Sequence, residues 1–371
     1  MDLFGDMLFR CFQTEHAQEF NVEQMRPALR NRFSRLPGAG TSGFCRNADR
    51  LMNRFFDYPR WLRKRAAGFD LFHLMDHSYA QLAFELPAGR MVVTCHDLDT
   101  FRCLLEPGAE PRPRWFRAMA QRTLEGFQRA AHVICPSHAT KAAVLRQGWF
   151  SPDQVTVIHP GADPTFFSPP DAASIEAVAE LTGAEHLPYL LHVGSTISRK
   201  RVEVLLQAFA GVVAELPGLR LVRVGGRLTD EQSELARKLG IAGSLVHAPN
   251  LTKTQLAAVY QKAALLLQPS GAEGFGLPVI EAMACGCPVV ASDIAPLREA
   301  GGSAADYCPV GDIDSWCRTV IRLLAERVTA PSQWEARKAE ARRHASSFTW
   351  SENVRQTVLV YRRVVRTMRN K

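Results

Sequence analysis

Apolar residues along this chain gather in short runs bounded by glycine, proline or charged positions: Met91 to Cys95, His132 to Cys135, Gln154 to Ile158, Tyr189 to Val193, Leu219 to Val224, Ala264 to Leu267 and Pro288 to Ala291. Amphipathic helical patterns separate them. That alternation predicts parallel sheets with crossover helices, an α/β architecture. The loop Pro160-Gly161-Ala162-Asp163-Pro164 and the Pro169-Pro170 pair interrupt the pattern midway and predict a domain boundary near Phe167 to Pro170. A terminal helix is predicted over Phe348 to Arg369, with Val354, Val358, Tyr361 and Val365 on one stripe, and the chain opens on a predicted helix, Asp2 to Phe12.

The densest chemistry lies in Ser270-Gly271-Ala272-Glu273-Gly274-Phe275-Gly276-Leu277-Pro278-Val279-Ile280-Glu281. The buried run before it reads as a strand, and Pro278 fits the first position of a helix, where its missing N–H costs nothing. Gly274 and Gly276 let the backbone approach a ligand closely, and the helix N-terminus offers free N–H groups to a diphosphate. Glu281, in the first turn, suits ribose hydroxyls; Glu273, in the loop, suits sugar hydroxyls. A plainer reading is that Glu281 complements the helix dipole and the glycines only turn the chain.

The stretch Glu273 to Glu281 resembles the E-x7-E signature of the family-four retaining glycosyltransferases (glycosyl transferases group 1). The resemblance extends to His192-Val193-Gly194-Ser195-Thr196-Ile197-Ser198-Arg199-Lys200-Arg201, Thr94-Cys95-His96-Asp97-Leu98, Val133-Ile134-Cys135-Pro136-Ser137 and Val157-Ile158-His159-Pro160-Gly161-Ala162-Asp163. It implies the GT-B fold, two Rossmann-like domains with parallel sheets facing across a cleft. Residues 1–167 would form the acceptor-side domain, 168–347 the nucleotide-sugar-binding domain, and 348–371 a helix returning to the first. Members of the family normally open with a β-strand and a glycine loop, so the helix at Asp2 implies a first sheet without its opening strand. Either the start lies downstream of the real one or the sheet has lost an element; a slot left unpaired would put full activity in doubt.

Composition narrows the picture further. The chain has 371 residues, enough for two domains with separate cores, and its 46% hydrophobic content is that of a soluble globular protein. No apolar stretch approaches the roughly 18 residues that suggest a membrane span, and Met1 to Arg10 lack a signal-peptide layout, so a cytoplasmic location is expected. Nine cysteines, without a paired-ligand spacing, read as reduced thiols. The net charge of +8 is concentrated: ten arginines and one lysine face two aspartates between Arg26 and Arg65. Arg50 to Arg65 mixes cations with Phe55, Phe56 and Trp61, which fits peripheral contact with an anionic membrane or a phosphorylated acceptor, and equally a basic helix whose apolar face is buried. No zinc-finger, KH-type or RNP-type signature points to nucleic acid.

Four candidate groups follow strand ends, where open α/β sheets bind ligands: His96, Gly194, Gly225 with Gly226, and Glu273. The resemblance implies His96, Lys200 and Glu273 as catalytic residues, with donor contacts from Gly194, Ser195, Arg199, Lys200, Glu273, Gly274, Phe275, Gly276, Leu277 and Glu281. Arg199 and Lys200 would stabilise a departing diphosphate without a metal or other cofactor. Arg201 departs from the glycine or asparagine common in the family. His96 would face the donor sugar's 6-hydroxyl or the anomeric centre. Asp97-Leu98-Asp99 spells the D-x-D metal motif of the other large glycosyltransferase fold but follows His96 directly, so loop hydrogen bonding and capping are expected of it. His73 and His77, four apart, could share a helix face as metal ligands but lack a glutamate to complete a zinc site. Val246-His247-Ala248-Pro249-Asn250-Leu251 is where the family holds the base. The implied function is a retaining, metal-independent transfer of a hexose-like sugar from a nucleoside diphosphate-sugar to a carbohydrate or lipid-linked hydroxyl, in polysaccharide or glycolipid biosynthesis. A same-face mechanism is favoured over one with Glu273 as nucleophile. Two rival readings are a sugar-nucleotide epimerase or hydrolase of the same fold, and a non-catalytic nucleotide-sugar-binding protein.

Overall fold

The computed structural model describes residues 2–35, 43–182, 189–249 and 251–370. It divides into two compact units, Met1–His159 with Ser351–Lys371, and Pro160–Trp350.

The first unit is built on a parallel sheet in the order β1 (Phe72–Leu74), β2 (Met91–Thr94), β3 (His132–Cys135) and β4 (Val155–Val157). Alternate residues face opposite sides, as the two-residue period of a strand requires. Val93, Val133, Cys135 and Val155 pack with Phe101 and Phe127, while Val92 and Ile134 pack with Val360 and Val364 of the helix Trp350–Arg369. The tail therefore supplies one face of this core. Its buried stripe runs through Val354, Val358 and Val364; Val365, expected on it, is only half-buried because the helical period carries the stripe one position earlier.

The opening helix spans Asp2–Glu15, and the first strand among the described residues is Phe72–Leu74. Phe12 stacks on Tyr361 with ring centroids 5.5 Å apart, and Phe4 meets His96 edge-on at 5.4 Å. His73 and His77 do not share a helix face. His73 lies in β1, hydrogen-bonded to the Tyr361 hydroxyl (2.6 Å) and Thr94 Oγ1 (2.8 Å), and burial lowers its pKa to about 3. His77 opens the next 3₁₀ helix among Phe101 and Phe127.

The basic region is partly internal. Asp49 is buried and accepts the backbone N–H groups of Arg32, Phe33 and Ser34 at 2.7–3.0 Å, which ties residues 32–34 to the helix Gly43–Met52. Arg54 folds over the Tyr79 ring, Arg63 pairs with Glu85, Leu62 is buried and Arg65 covers Trp61. Phe44 and Phe56 remain exposed, as do Arg50, Arg60, Lys64 and Arg65.

The second unit carries a six-stranded parallel sheet in the order β10-β9-β8-β5-β6-β7. These strands are β5 (Tyr189–Val193), β6 (Arg220–Val224), β7 (Leu245–Ala248), β8 (Leu265–Gln268), β9 (Val289–Ser292) and β10 (Ala305–Cys308). Leu191, Val222, Leu266 and Val289 face the helices Lys253–Lys262 and Leu277–Ala284; Leu190, Leu221, Leu265 and Val290 face Val202–Glu215 and Ile313–Thr329. The sheet is thus doubly wound, with its reversal of direction between β5 and β8, where such folds open a ligand crevice. The apolar-run pattern does not reveal β7 or β10, both largely half-buried edge strands, nor the short β1.

The segment after His159 belongs to the second unit. Ala162 N–H donates to the Phe348 carbonyl (3.0 Å), and Phe166 is buried in the same core as Tyr260 and Ile280. The proline-rich break at Phe167 to Pro170 consequently lies inside that unit.

Candidate active site

Two loops leave the sheet at its switch point, one after β5 and one after β8. The first is held against the loop after β6: Gly194 N–H donates to the Val224 carbonyl (2.9 Å), and Gly225, at φ +120°, passes so close that a Cβ would lie 2.4 Å from the Gly194 oxygen. Only glycine fits there. The second loop is joined to the first by Gly271 N–H donating to the Arg199 carbonyl (2.8 Å).

This brings together residues more than seventy positions apart. Lys200 Nζ lies 2.6 Å from Glu273 Oε1, and Arg199 Nη1 lies 3.2 Å from Glu273 Oε2 and donates to the Ala272 carbonyl (3.2 Å). Gln268 Nε2 donates to the same carboxylate at 2.9 Å and to Ser270 Oγ at 3.1 Å. Burial alone would raise the Glu273 pKa; Lys200, Ser270 and Arg199 outweigh it and hold the group below its usual range. A single carboxylate flanked by two cations is poorly suited to a divalent metal and well suited to an anionic ligand that can compete for the cations.

The helix Leu277–Ala284 starts at Leu277, one residue before Pro278, with Gly276 at φ +130° and its Cβ direction closed by Leu297 at 2.9 Å. Glu281 therefore opens the second turn instead of lying in the first, which weakens its reading as a dipole complement, since that effect is confined to the first turn. Its Oε2 accepts the Tyr260 hydroxyl at 2.9 Å. Burial raises its pKa to about 7; Asp163 acts in the same direction, and Tyr260 and Lys253 oppose.

The other expected residues have distinct placements. Ser195 is exposed; Gly194, Gly274 and Leu277 are half-buried at the loop ends. The Phe275 side chain is buried against Phe348 (5.5 Å), so it packs the core beneath the loop. His96 belongs to the first unit, after β2, and its Nε2–H donates to the Met75 carbonyl (2.8 Å). Asp97 accepts the Asp99 N–H (3.1 Å), closing the local loop, and the helical turn Asp99–Phe101 has no side-chain cap. In the base segment, His247 Nε2–H donates to the Gly225 carbonyl (2.8 Å); Asn250 lies outside the described residues.

Two side chains that the sequence pattern does not reveal support the two glutamates. Tyr260 and Gln268 stand behind Glu281 and Glu273 respectively. His192 and Arg223 are paired in register on β5 and β6, fully buried, with Arg223 Nε donating to His192 Nδ1 at 3.4 Å. An interior tyrosine was the one available signal, because a buried phenol requires a hydrogen-bond partner.

The chain belongs to the glycosyl transferases of group 1: that family's model matches residues 176–342, and the model of Glycosyltransferase Family 4 matches residues 11–166. Among curated relatives, the D-inositol 3-phosphate glycosyltransferase of Rhodococcus erythropolis is 35% identical over 222 residues, 57% of this chain and 49% of the relative. That of Mycobacterium marinum is 32% identical over 222 residues, 58% and 46% respectively. The chain spans about half the length of these curated relatives. The fold is GT-B. It superposes on WaaG, a glycosyltransferase involved in lipopolysaccharide biosynthesis, with TM-score 0.69 over 96% of this chain and 95% of that one at 17% identity. It also superposes on Anabaena Alr3699/HepE in complex with UDP-glucose, with TM-score 0.65 over 86% and 84% at 18% identity.

Proposed function

We propose that this chain is a retaining, metal-independent glycosyltransferase that moves a hexose-like sugar from a nucleoside diphosphate-sugar to a hydroxyl acceptor. The observation that carries the reading is the convergence of Arg199, Lys200 and Glu273 at the β5/β8 switch point, with Glu281 on the helix that follows. Lys200, Arg199 and the helix N-terminus take the charge that develops on the leaving diphosphate, while Glu273 and Glu281 accept hydrogen bonds from sugar and ribose. With Glu273 engaged by two cations and Gln268, its role is to hold the sugar, and the leaving phosphate takes the acceptor proton on the same face. His96 is assigned to the donor sugar by the family pattern.

The relatives named for D-inositol 3-phosphate make a phosphorylated polyol the first acceptor to assay, and the neighbour bound to UDP-glucose makes that the first donor. Phe44, Phe56 and the exposed cations between Arg50 and Arg65 support peripheral contact with an anionic membrane. The test is nucleotide release from UDP- and GDP-hexoses, with and without D-inositol 3-phosphate, in EDTA. Turnover is expected to survive chelation and to give an α-configured product from an α-linked donor. Product of inverted configuration, or turnover lost in EDTA and restored by Mg²⁺, overturns the corresponding part of the reading.

A further inference from the structure

The carboxylate of Glu281 is positioned from behind by a device that begins in the Val157 to Asp163 motif and ends on a phenol. Asp163 accepts the Thr165 N–H (3.0 Å) and starts the turn Pro164–Phe167. Its Oδ2 lies 2.6 Å from Lys253 Nζ, at the first residue of the helix Lys253–Lys262. Two turns further along that helix, on the same face, Tyr260 meets the edge of Phe166 with centroids 5.8 Å apart and an interplanar angle of 85°. One short segment thus pins the helix at two points. Tyr260, fully buried, then donates its hydroxyl to Glu281 Oε2 at 2.9 Å.

We propose that Tyr260 is a positioning residue for donor binding: its hydroxyl holds Oε2 of Glu281 so that Oε1 meets the ribose hydroxyls. This rests on the nucleotide-sugar reading of the site given above. A packing role alone would be filled by phenylalanine at lower cost, because an interior hydroxyl must give up water and find a partner. The same hydrogen bond favours the ionised carboxylate, the form that accepts from ribose. The charged and titratable groups facing it are Asp163, which disfavours ionisation, Lys253 and Tyr260, which favour it, and the Cys285 thiol.

The test is calorimetric titration of the full chain with UDP and GDP between pH 5.5 and 9, beside their 2′,3′-dideoxy analogues. For the nucleotide that binds, Tyr260→Phe is expected to weaken affinity roughly two- to tenfold near pH 7, the range of a single net hydrogen bond. It should also move the pH at which affinity rises to higher pH and leave the dideoxy analogue unaffected. In a Glu281→Gln background, Tyr260→Phe should add nothing. Lys253→Met, at a partly exposed site, should shift the profile in the same direction and serves if Tyr260→Phe folds poorly. Equal losses for the ribo and dideoxy nucleotides with an unmoved pH profile would reduce Tyr260 to packing and overturn the proposal. Glu281→Gln binding UDP and GDP like the unmodified chain would instead overturn the assignment of Glu281 to ribose, and the positioning role with it.

Discussion

Lys200 and Glu273 form a 2.6 Å ion pair, both side chains nearly buried, across the two loops that leave the sheet switch point. The cation assigned to the leaving group and the carboxylate assigned to the sugar neutralise one another, and Arg199 shares the carboxylate. Under the proposed function, donor binding has to redistribute this existing pair, and the pairing keeps two cations in a tight loop at tolerable cost.

The pair is asymmetric in its back-up. Without Lys200, Glu273 keeps Arg199 and Gln268; without the Glu273 charge, Lys200 loses its carboxylate at a nearly buried site. Glu273→Gln should thus destabilise the fold by about 1–3 kcal/mol and Lys200→Met by less, read by urea unfolding. Because the Glu273 pKa is depressed, its contribution is present above the ordinary carboxylate value and is lost as pH falls through the folded one, so the gap between the unmodified chain and Glu273→Gln should close in acid. A larger loss for Lys200→Met would contradict the geometry.

Glu281 has the opposite sign. Its pKa rises from 4.5 to about 7 on folding, so its contribution to stability is fully present below 4.5 and is lost as pH climbs through 7. Glu281→Gln removes that dependence. Its melting temperature relative to the unmodified chain should be higher at pH 8.5 than at pH 5.5, while its affinity for UDP or GDP falls about tenfold. A melting difference that does not change with pH would show that the carboxylate is not held in a raised state.

Arg201 sits at φ 49° and ψ 45°, the one left-handed non-glycine residue among those described, between the 3₁₀ turn Ser198–Lys200 and the helix Val202–Glu215. This is the physical reason why glycine or asparagine suits the position. An L-residue there pays roughly 1–2 kcal/mol in steric cost, partly offset by the extra unfolded-state freedom of glycine. Arg201→Gly should raise stability by about 0.5–1 kcal/mol, and Arg201→Val, with its β-branch, should lower it. Thermal melts in which the two variants shift in the same direction would refute this account.

The order of strands and crossover helices, the parallel α/β class and the loops that carry chemistry were legible in the amino-acid sequence because each depends on local terms: apolar runs of strand length, a proline near a helix start, glycines where the backbone must turn or approach. Gly276, at φ +130°, shows this, since glycine takes a positive φ without the steric cost an L side chain pays; Arg201 is left-handed but carries no such local signal. The weak edge strands β1, β7 and β10 escaped, because their pairing, more than their composition, makes them strands. Tertiary structure alone decided that β5 and β8 are neighbours, and with that adjacency came the contact of Lys200 with Glu273 and the closure of the two loops. It also decided that Tyr260 stands behind Glu281 and that the two glutamates titrate in opposite directions. Ionisation depends on burial and on charges brought close through space, and neither is written in the spacing of residues along the chain.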